Sequence, residues 1–399
     1  MGREGSELKS PMKTVITVLL LVVIVANPLF HTAQEHRPAT PALARIDVHT
    51  HVFSPTPPFY ALLNRLNLRV LNICVLDKHE SNYQDLKDQQ SAAIKAFRAS
   101  QGRAAWCSSF DPDDWESPGF AQRTIVHLSK TFDEGAIAVK IYKIIGMELK
   151  SKDGKYLMPD DPVFVPIFKA IEARNKALYT HLAEPWSAWR PLDPASPHYG
   201  YYKKNPDWHM YLHPERPAKE TILAARDHIL ERHPKLRVVG AHLGSMEDDV
   251  DEIAKRLDRY SNFAVETAAR VPDLMLQPTG KIRAFFIKYQ DRVLYGTDLS
   301  MMPSQKPEEV VKEWEAIYAR DWKFFATNEI VEFAGRKIQG LALPVPVLEK
   351  FYRGNAIRWL PGIEGKNSAV TGSQSLGTRS FHGSLDPSYC FAGLLYTAT

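Results

Sequence analysis

Ile46-Asp47-Val48-His49-Thr50-His51 decides how this chain of 399 residues is read. Leu43, Ile46 and Val48 lead into it with the apolar and β-branched character of a strand. Side chains alternate along a strand, so His49 and His51 point to one side. Two imidazoles on one face can grip one metal ion. Taken alone the pair is weak, because histidines two apart also arise as ordinary core or surface residues. The rest of the chain has to complete the site.

Working outward, short strand-like runs alternate with amphipathic stretches of helical period. Strands are expected at residues 45–49, 69–75, 103–109, 136–142, 177–182, 236–242, 262–266 and 292–296. Between them lie helical stretches such as 90–100, 121–132, 163–175, 218–232, 248–259 and 280–289. Eight apolar strands, each followed by a helix, predict an α/β fold of the (β/α)8 TIM-barrel type. The competing open, doubly wound sheet lacks its Gly-rich phosphate turn after the first strand. His233-Pro234 stops the helix before the sixth strand, and Asp160-Asp161-Pro162-Val163 offers an aspartate cap followed by a first-turn proline. The segment 185–217 is long for a βα loop and carries Trp186, Trp189, Tyr199, Tyr201, Tyr202, Trp208 and Tyr211, the make-up of a lid.

The two ends differ from this middle. Thr14 to Ala26 is an apolar run behind Arg3, Lys9 and Lys13, broken by Asn27-Pro28. That is the layout of a secretory signal peptide over 1–33, short for a membrane span. Its cleavage site is poorly marked, which leaves an uncleaved signal anchor open. The expectation is an exported protein, periplasmic or secreted, with membrane contact only through such an anchor. A linker (34–44), a catalytic domain (45–363) and a disordered Ser/Gly/Thr-rich tail (364–399) follow. Three cysteines, Cys74, Cys107 and Cys390, make no disulfide framework. Lys and Arg total 50 against 46 Asp and Glu, without a basic block, so there is no electrostatic footprint for nucleic acid. The expected partner is a small-molecule substrate, and a homo-oligomer stays open.

Three further motifs end on ligand-type residues: Leu178-Tyr179-Thr180-His181, Val238-Val239-Gly240-Ala241-His242 and Val293-Leu294-Tyr295-Gly296-Thr297-Asp298. They close the fifth, sixth and eighth predicted strands. Barrel active sites lie at the C-terminal ends of the strands. His49, His51, His181, His242 and Asp298 therefore meet at one mouth. A core histidine or a helix-capping aspartate explains any one of them alone; five at the same end of their strands make a metal site.

With these motifs in place the sequence resembles the amidohydrolase superfamily, most closely its amidohydrolase-related branch of aminocarboxymuconate-semialdehyde decarboxylase-like metal enzymes. The likeness runs from about residue 45 to 362. It also rests on Ala183-Glu184-Pro185 after His181, on Leu243-Gly244 after His242, and on Gly354-Asn355-Ala356. The resemblance implies a divalent metal, usually zinc, with manganese or a second metal as alternatives. It implies His49, His51, His181 and Asp298 as ligands and places His242 beside the metal-bound water, so that His242 and Asp298 become the catalytic proton carriers. Two reactions stay open: hydrolysis of an amide, ester or lactone-like bond, which leads, and non-oxidative decarboxylation of an unsaturated or aromatic acid. A non-catalytic binding barrel is a third reading, and it predicts lost ligands.

Substrate contacts are assigned to Lys140, Glu184, Trp186 and Arg190. Lys140 is read as a plain ammonium beside one metal, against a carboxylated lysine bridging two metals and against a solvated strand-rim lysine. Glu184 is a substrate contact, a partner of the ligands, or half of a loop ion pair. Trp186 and Arg190 bind an aromatic or carboxylated substrate, or else the lid packs on itself.

Overall fold

The computed structural model describes residues 43–77, 79 and 85–365. The expected leader, nearly all of the linker, the tail from Lys366 and Cys390 lie outside the described residues.

β1 (Arg45–Val52), β2 (Leu68–Ile73), β3 (Ala104–Ser109), β4 (Ala136–Ile141), β5 (Ala177–Thr180), β6 (Arg237–Gly240), β7 (Phe263–Glu266) and β8 (Val293–Leu294) pair in sequence order, all parallel. β9 (Leu299–Met301) runs parallel to β1 on its other edge, with His51 opposite Ser300. β8 and β9 occupy one strand position interrupted at Tyr295–Asp298. Val48 N donates to Tyr295 O at 2.9 Å, and Asp298 N donates to His49 O at 2.8 Å, which closes the ring of strands. The expected (β/α)8 barrel is the fold.

Parallel strands covered on both faces read as unbroken apolar runs, and β3 and β4 are buried at every residue. Val70, Trp106, Val139, Leu178, Val238 and Val265 face the helices. Leu71, Ile73, Cys107, Ala138, Tyr179, Val239 and Leu294 fill the interior with Ile46 and Val48, packed against Trp359, Leu360 and Ile363. Strict alternation would turn His49 away from the interior that Val48 occupies. The pairing of β1 with β2 shifts between Asp47 and Thr50, and such a bulge re-aims the side chains that follow it. His49 and His51 thus both reach the barrel mouth.

Other boundaries moved for similar local reasons. β6 ends at Gly240, two residues short of His242, because the chain there turns left-handed. Asp161 accepts from Val163 N at 2.9 Å and caps a 3-10 turn that precedes the helix Val165–Ala173. The long segment after β5 holds 3-10 turns and one short helix, Tyr199–Lys204. A helix Pro307–Ala326 and a hairpin of Ile330–Phe333 with Arg336–Gln339 follow the barrel strands. Among the described residues, no helix is long and apolar enough to cross a membrane.

Candidate metal centre

The site starts with three imidazoles whose inner nitrogens are already occupied. His49 Nδ1 lies 2.8 Å from Glu266 Oε1, His51 Nδ1 lies 2.7 Å from Ile73 O, and His242 Nδ1 lies 2.9 Å from Ala268 O. Each partner is an acceptor, which assigns the proton to Nδ1 and leaves the Nε2 lone pair for the cavity. The Asp298 side chain, 30% exposed, holds Oδ1 at 3.3 Å from His49 Nε2 and 3.2 Å from His51 Nε2. The ligand atoms of these three residues all lie within 4.8 Å of one another.

Lone pairs facing a carboxylate oxygen repel unless positive charge lies among them; Lys140 Nζ, 3.1 Å from His49 Nε2, can supply some, and a metal ion would supply more. A tetrahedral ion with bonds of roughly 2.0–2.2 Å holds neighbouring ligand atoms roughly 3.3 Å apart, which is the spacing found. His49, His242 and Glu266 form a second tight trio. Its carboxylate is already saturated, accepting from His49 Nδ1 and from the backbone N–H groups of His242 and Ala268. Glu266 therefore orients ligands and is not itself one. His181 stands outside both trios. Its ring centroid is 4.2 Å from that of His242, and its buried Nδ1 has no hydrogen-bond partner among the described residues.

Burial sets the charge states. It pushes the His242 imidazole down to about 3, with His49 and Arg270 adding to the effect against Asp298. His49 and His181 are driven well below the ordinary histidine value, again by burial first. Neutral imidazole is the form that ligates. Burial alone would raise the Asp298 carboxyl, but His242, His49 and His51 hold it well below the usual carboxylate range. Lys140 is 1% exposed, so the solvated-rim placement does not hold; its Nζ sits 3.1 Å from His49 Nε2. Burial lowers its pKa against the pull of Asp298.

Two backbone features make room for this arrangement. A Cβ at Gly296 would stand 2.6 Å from Glu266 Oε2 and 3.1 Å from His49 Cβ, so only glycine lets the eighth strand pass. After β6 the chain takes four left-handed residues in a row, His242, Leu243, Gly244 and Ser245, with φ of 56°, 57°, 63° and 59°. For the three that are not glycine, this costs about 1–2 kcal/mol each. The turn is held by His242 N to Glu266, by Arg226 Nη1 to Gly244 O at 2.6 Å, and by Ser245 Oγ to Ala183 O at 3.2 Å.

A cavity of about 480 Å³ opens onto His51, Lys140, His181, His242 and Asp298, and its lining also includes Tyr142, Lys143, Glu184, His198, Tyr201, Tyr202 and Arg270. A family model for amidohydrolases matches residues 46–362. The chain belongs to the amidohydrolase family. Its members are metal-dependent enzymes acting on small molecules, and they include hydrolases and decarboxylases. Among curated proteins none matches this amidohydrolase. Similar solved structures include 5-carboxyvanillate decarboxylase from Sphingomonas paucimobilis, 16% identical, covering 80% of this chain and 99% of its own, with a TM-score of 0.44. Dihydroorotase from Campylobacter jejuni is 13% identical over 79% of this chain and 82% of its own, TM-score 0.42. Likeness at that level carries no argument about the reaction.

The remaining expectations for this amidohydrolase divide. Glu184 lines the cavity as the partner of a buried lysine, Lys143, and also accepts from Tyr202 OH at 3.0 Å. Lys143 Nζ lies 3.9 Å from the Trp208 ring centroid and donates to Tyr201 OH at 3.0 Å. Burial opposes its charge, yet Glu184 and the neighbouring acids and phenols keep its pKa above the ordinary lysine value. Trp186 and Arg190 are not brought to this cavity. Arg190 lines a separate one of about 310 Å³, and Trp186 covers Lys219 at 5.3 Å. Glu266, Lys143, Arg270 and His198 were missed. Glu266 ends β7, so the strand-end rule that found the histidines could have found it too; the other three sit on connections without a motif.

Proposed function

We propose that this amidohydrolase is an exported, zinc-dependent hydrolase that directs water at an amide, ester or lactone-like carbonyl. The observation that carries the reading is the set of Nε2 lone pairs turned with Asp298 into one cavity at ligand-to-ligand spacing. Two imidazoles and a carboxylate fit a borderline divalent ion, zinc before manganese, held by His49, His51 and Asp298 with His181 and His242 alongside. When bound, such an ion supplies Lewis acidity and lowers the pKa of water toward about 7.

The chain's own residues supply the rest. Glu266 keeps His49 in one tautomer and orientation. His242, neutral and with Nδ1 committed to Ala268 O, offers Nε2 as proton acceptor. Asp298 stays ionised beside the histidines, and Lys140 places its amine beside His49 in the same cavity. Decarboxylation is the second reading; Lys140, Lys143 and Arg270 on one cavity favour it, as anchors for a carboxylate.

The test loads the purified protein with zinc or manganese and offers 4-nitrophenyl acetate, dihydrocoumarin, 4-nitroacetanilide and 2-hydroxybenzoate, monitoring product and carbon dioxide. Cleavage of an ester, lactone or amide that disappears in His242→Asn supports hydrolysis. Carbon dioxide from the acid without any hydrolysis replaces it with the second reading. Metal content near one ion per chain goes with an uncarboxylated Lys140, and two ions with the bridging form. Export is tested by fusing residues 1–33 to a reporter and locating it.

A further inference from the structure

We infer that His198, oriented by Asp273, is a second proton-transfer residue of this cavity, donating to the leaving group from the long segment after β5. The inference rests on the hydrolase reading above.

His198 sits in the long segment after β5 and lines the same cavity as His51, His242 and Asp298. Its Nε2 lies 2.8 Å from Asp273 Oδ1, and the two side chains are 11% and 7% exposed. Asp273 comes from a different element, the short helix Val271–Met275 beyond β7. Burying a carboxylate costs several kcal/mol unless a partner repays it. Oδ1 meets His198, the buried Arg270 guanidinium interacts with the same carboxylate, and Oδ2 is buried with no hydrogen-bond partner among the described residues.

The carboxylate fixes the ring's proton on Nε2 and leaves Nδ1 uncommitted, on a ring that lines the cavity. Among the described residues Nδ1 has no hydrogen-bond partner. That is the arrangement of a base and its orienting acid, reached without any of the metal ligands. Behind the pair lies the cavity of about 310 Å³, which His198 and Tyr202 share with the catalytic one. Its lining runs through Asp273, Glu247 and Asp248 to the exposed Arg190 and Asp193, giving the imidazole a polar path to bulk water.

The step balances as follows. Water adds its oxygen to the carbonyl carbon, and His242 receives the proton it releases. As the carbon–nitrogen or carbon–oxygen bond breaks, the leaving atom takes the electron pair and a proton that the resting Nε2–H form of His198 has first drawn from solvent onto Nδ1. His198 is left neutral, its proton having come from water through the second cavity, and His242 returns its own to solvent. One water is consumed.

The deciding variant is His198→Gln. A glutamine amide N–H can still reach Asp273 and hold the loop, but it has no proton to transfer. A merely structural role predicts equal effects on all substrates. Proton donation predicts that kcat for 4-nitroacetanilide, whose anilide cannot leave unprotonated, falls about 100-fold. Against 4-nitrophenyl acetate, whose phenolate leaves unaided, the loss stays within about threefold, with KM for both little changed. Equal losses on the two substrates, or an amide rate at least half that of the parent, overturn the inference.

A second readout needs no turnover. Long-range nitrogen-15 spectra of histidine-labelled metal-loaded protein should show His198 as the Nε2–H tautomer, and Asp273→Asn should mix the tautomers. An Nδ1–H tautomer in the parent protein overturns the inference, even if no substrate is found. A parent protein inert toward every probe but carrying the Nε2–H tautomer instead faults the hydrolase reading.

Discussion

The two walls of the cavity are built in opposite ways. On the strand-end wall the rings of His51 and His242 are tied to backbone carbonyls, and His49 is tied to a carboxylate that itself rests on backbone N–H groups. On the loop wall the side chains hold one another: Lys143 with Glu184 and Tyr201, Tyr202 with Glu184, His198 with Asp273. The first wall inherits its geometry from the sheet. The second depends on buried charges meeting in pairs, and breaking one pair leaves an uncompensated charge in the interior.

That contrast can be broken wall by wall. Asp298→Asn should have the largest effect, removing bound metal and lowering turnover more than the roughly 10–100-fold that loss of a ligand's outer partner costs. Metal analysis and kinetics on the same sample check it. The fold should survive, because the substitution leaves the backbone bond from Asp298 N to His49 O in place. Lys143→Met acts on the other wall and should destabilise the protein by about 3–5 kcal/mol, read by denaturant unfolding, with metal content unchanged. The double variant with Glu184→Met should recover most of that loss, since both charges then go together. A double variant no more stable than the single one would sink the pair-held picture of this wall.

Glu266→Gln sharpens the strand-end side. It leaves a side chain of the same shape but no charge to orient His49, so metal affinity or activity should fall by roughly 10–100-fold with little change in stability. The smallest effect belongs to a lysine behind the loop. Burial lowers the Lys219 pKa, opposed by Glu247 at 3.7 Å. The folded state therefore holds that proton less tightly than the unfolded chain. Unfolding takes up a proton, and stability rises as pH climbs toward the ordinary lysine value of 10.5. Lys219→Met should flatten that rise; an unchanged slope in unfolding free energy between pH 8 and 10 would show that Lys219 does not set it.

The same division governs what could be read in the sequence. Ile46, Val48, Val139 and Val238 announce buried parallel strands because β-branched and apolar residues pack on both faces of such a sheet. Once strands are counted, His49, His51, His181, His242 and Asp298 are strand-end residues, and barrel geometry gathers them. What periodicity could not give was the bulge at Asp47–Thr50 that turns His49 inward, or the left-handed turn that carries His242 beyond β6. Both are deviations from the repeat the reading relies on. Lys143 lies two residues past β4 and looks like any solvated lysine. Only the distant Glu184 and the ring of Trp208 make it a buried one. Trp186 and Arg190 were assigned to the substrate as parts of the expected lid, and the chain sets Trp186 over Lys219 and Arg190 in the second cavity.

The interrupted eighth strand also sets a schedule. Asp298 supplies both the carboxylate beside His49 and His51 and the backbone N–H that bonds back to β1. At about 5–20 residues per second, synthesis reaches it on the order of 10–50 s after His51. A chain still emerging thus carries two histidines able to catch a metal long before it carries the carboxylate that closes both the ring of strands and the ligand set. The trio of His49, His51 and Asp298 is therefore incomplete until the last barrel strand has been made.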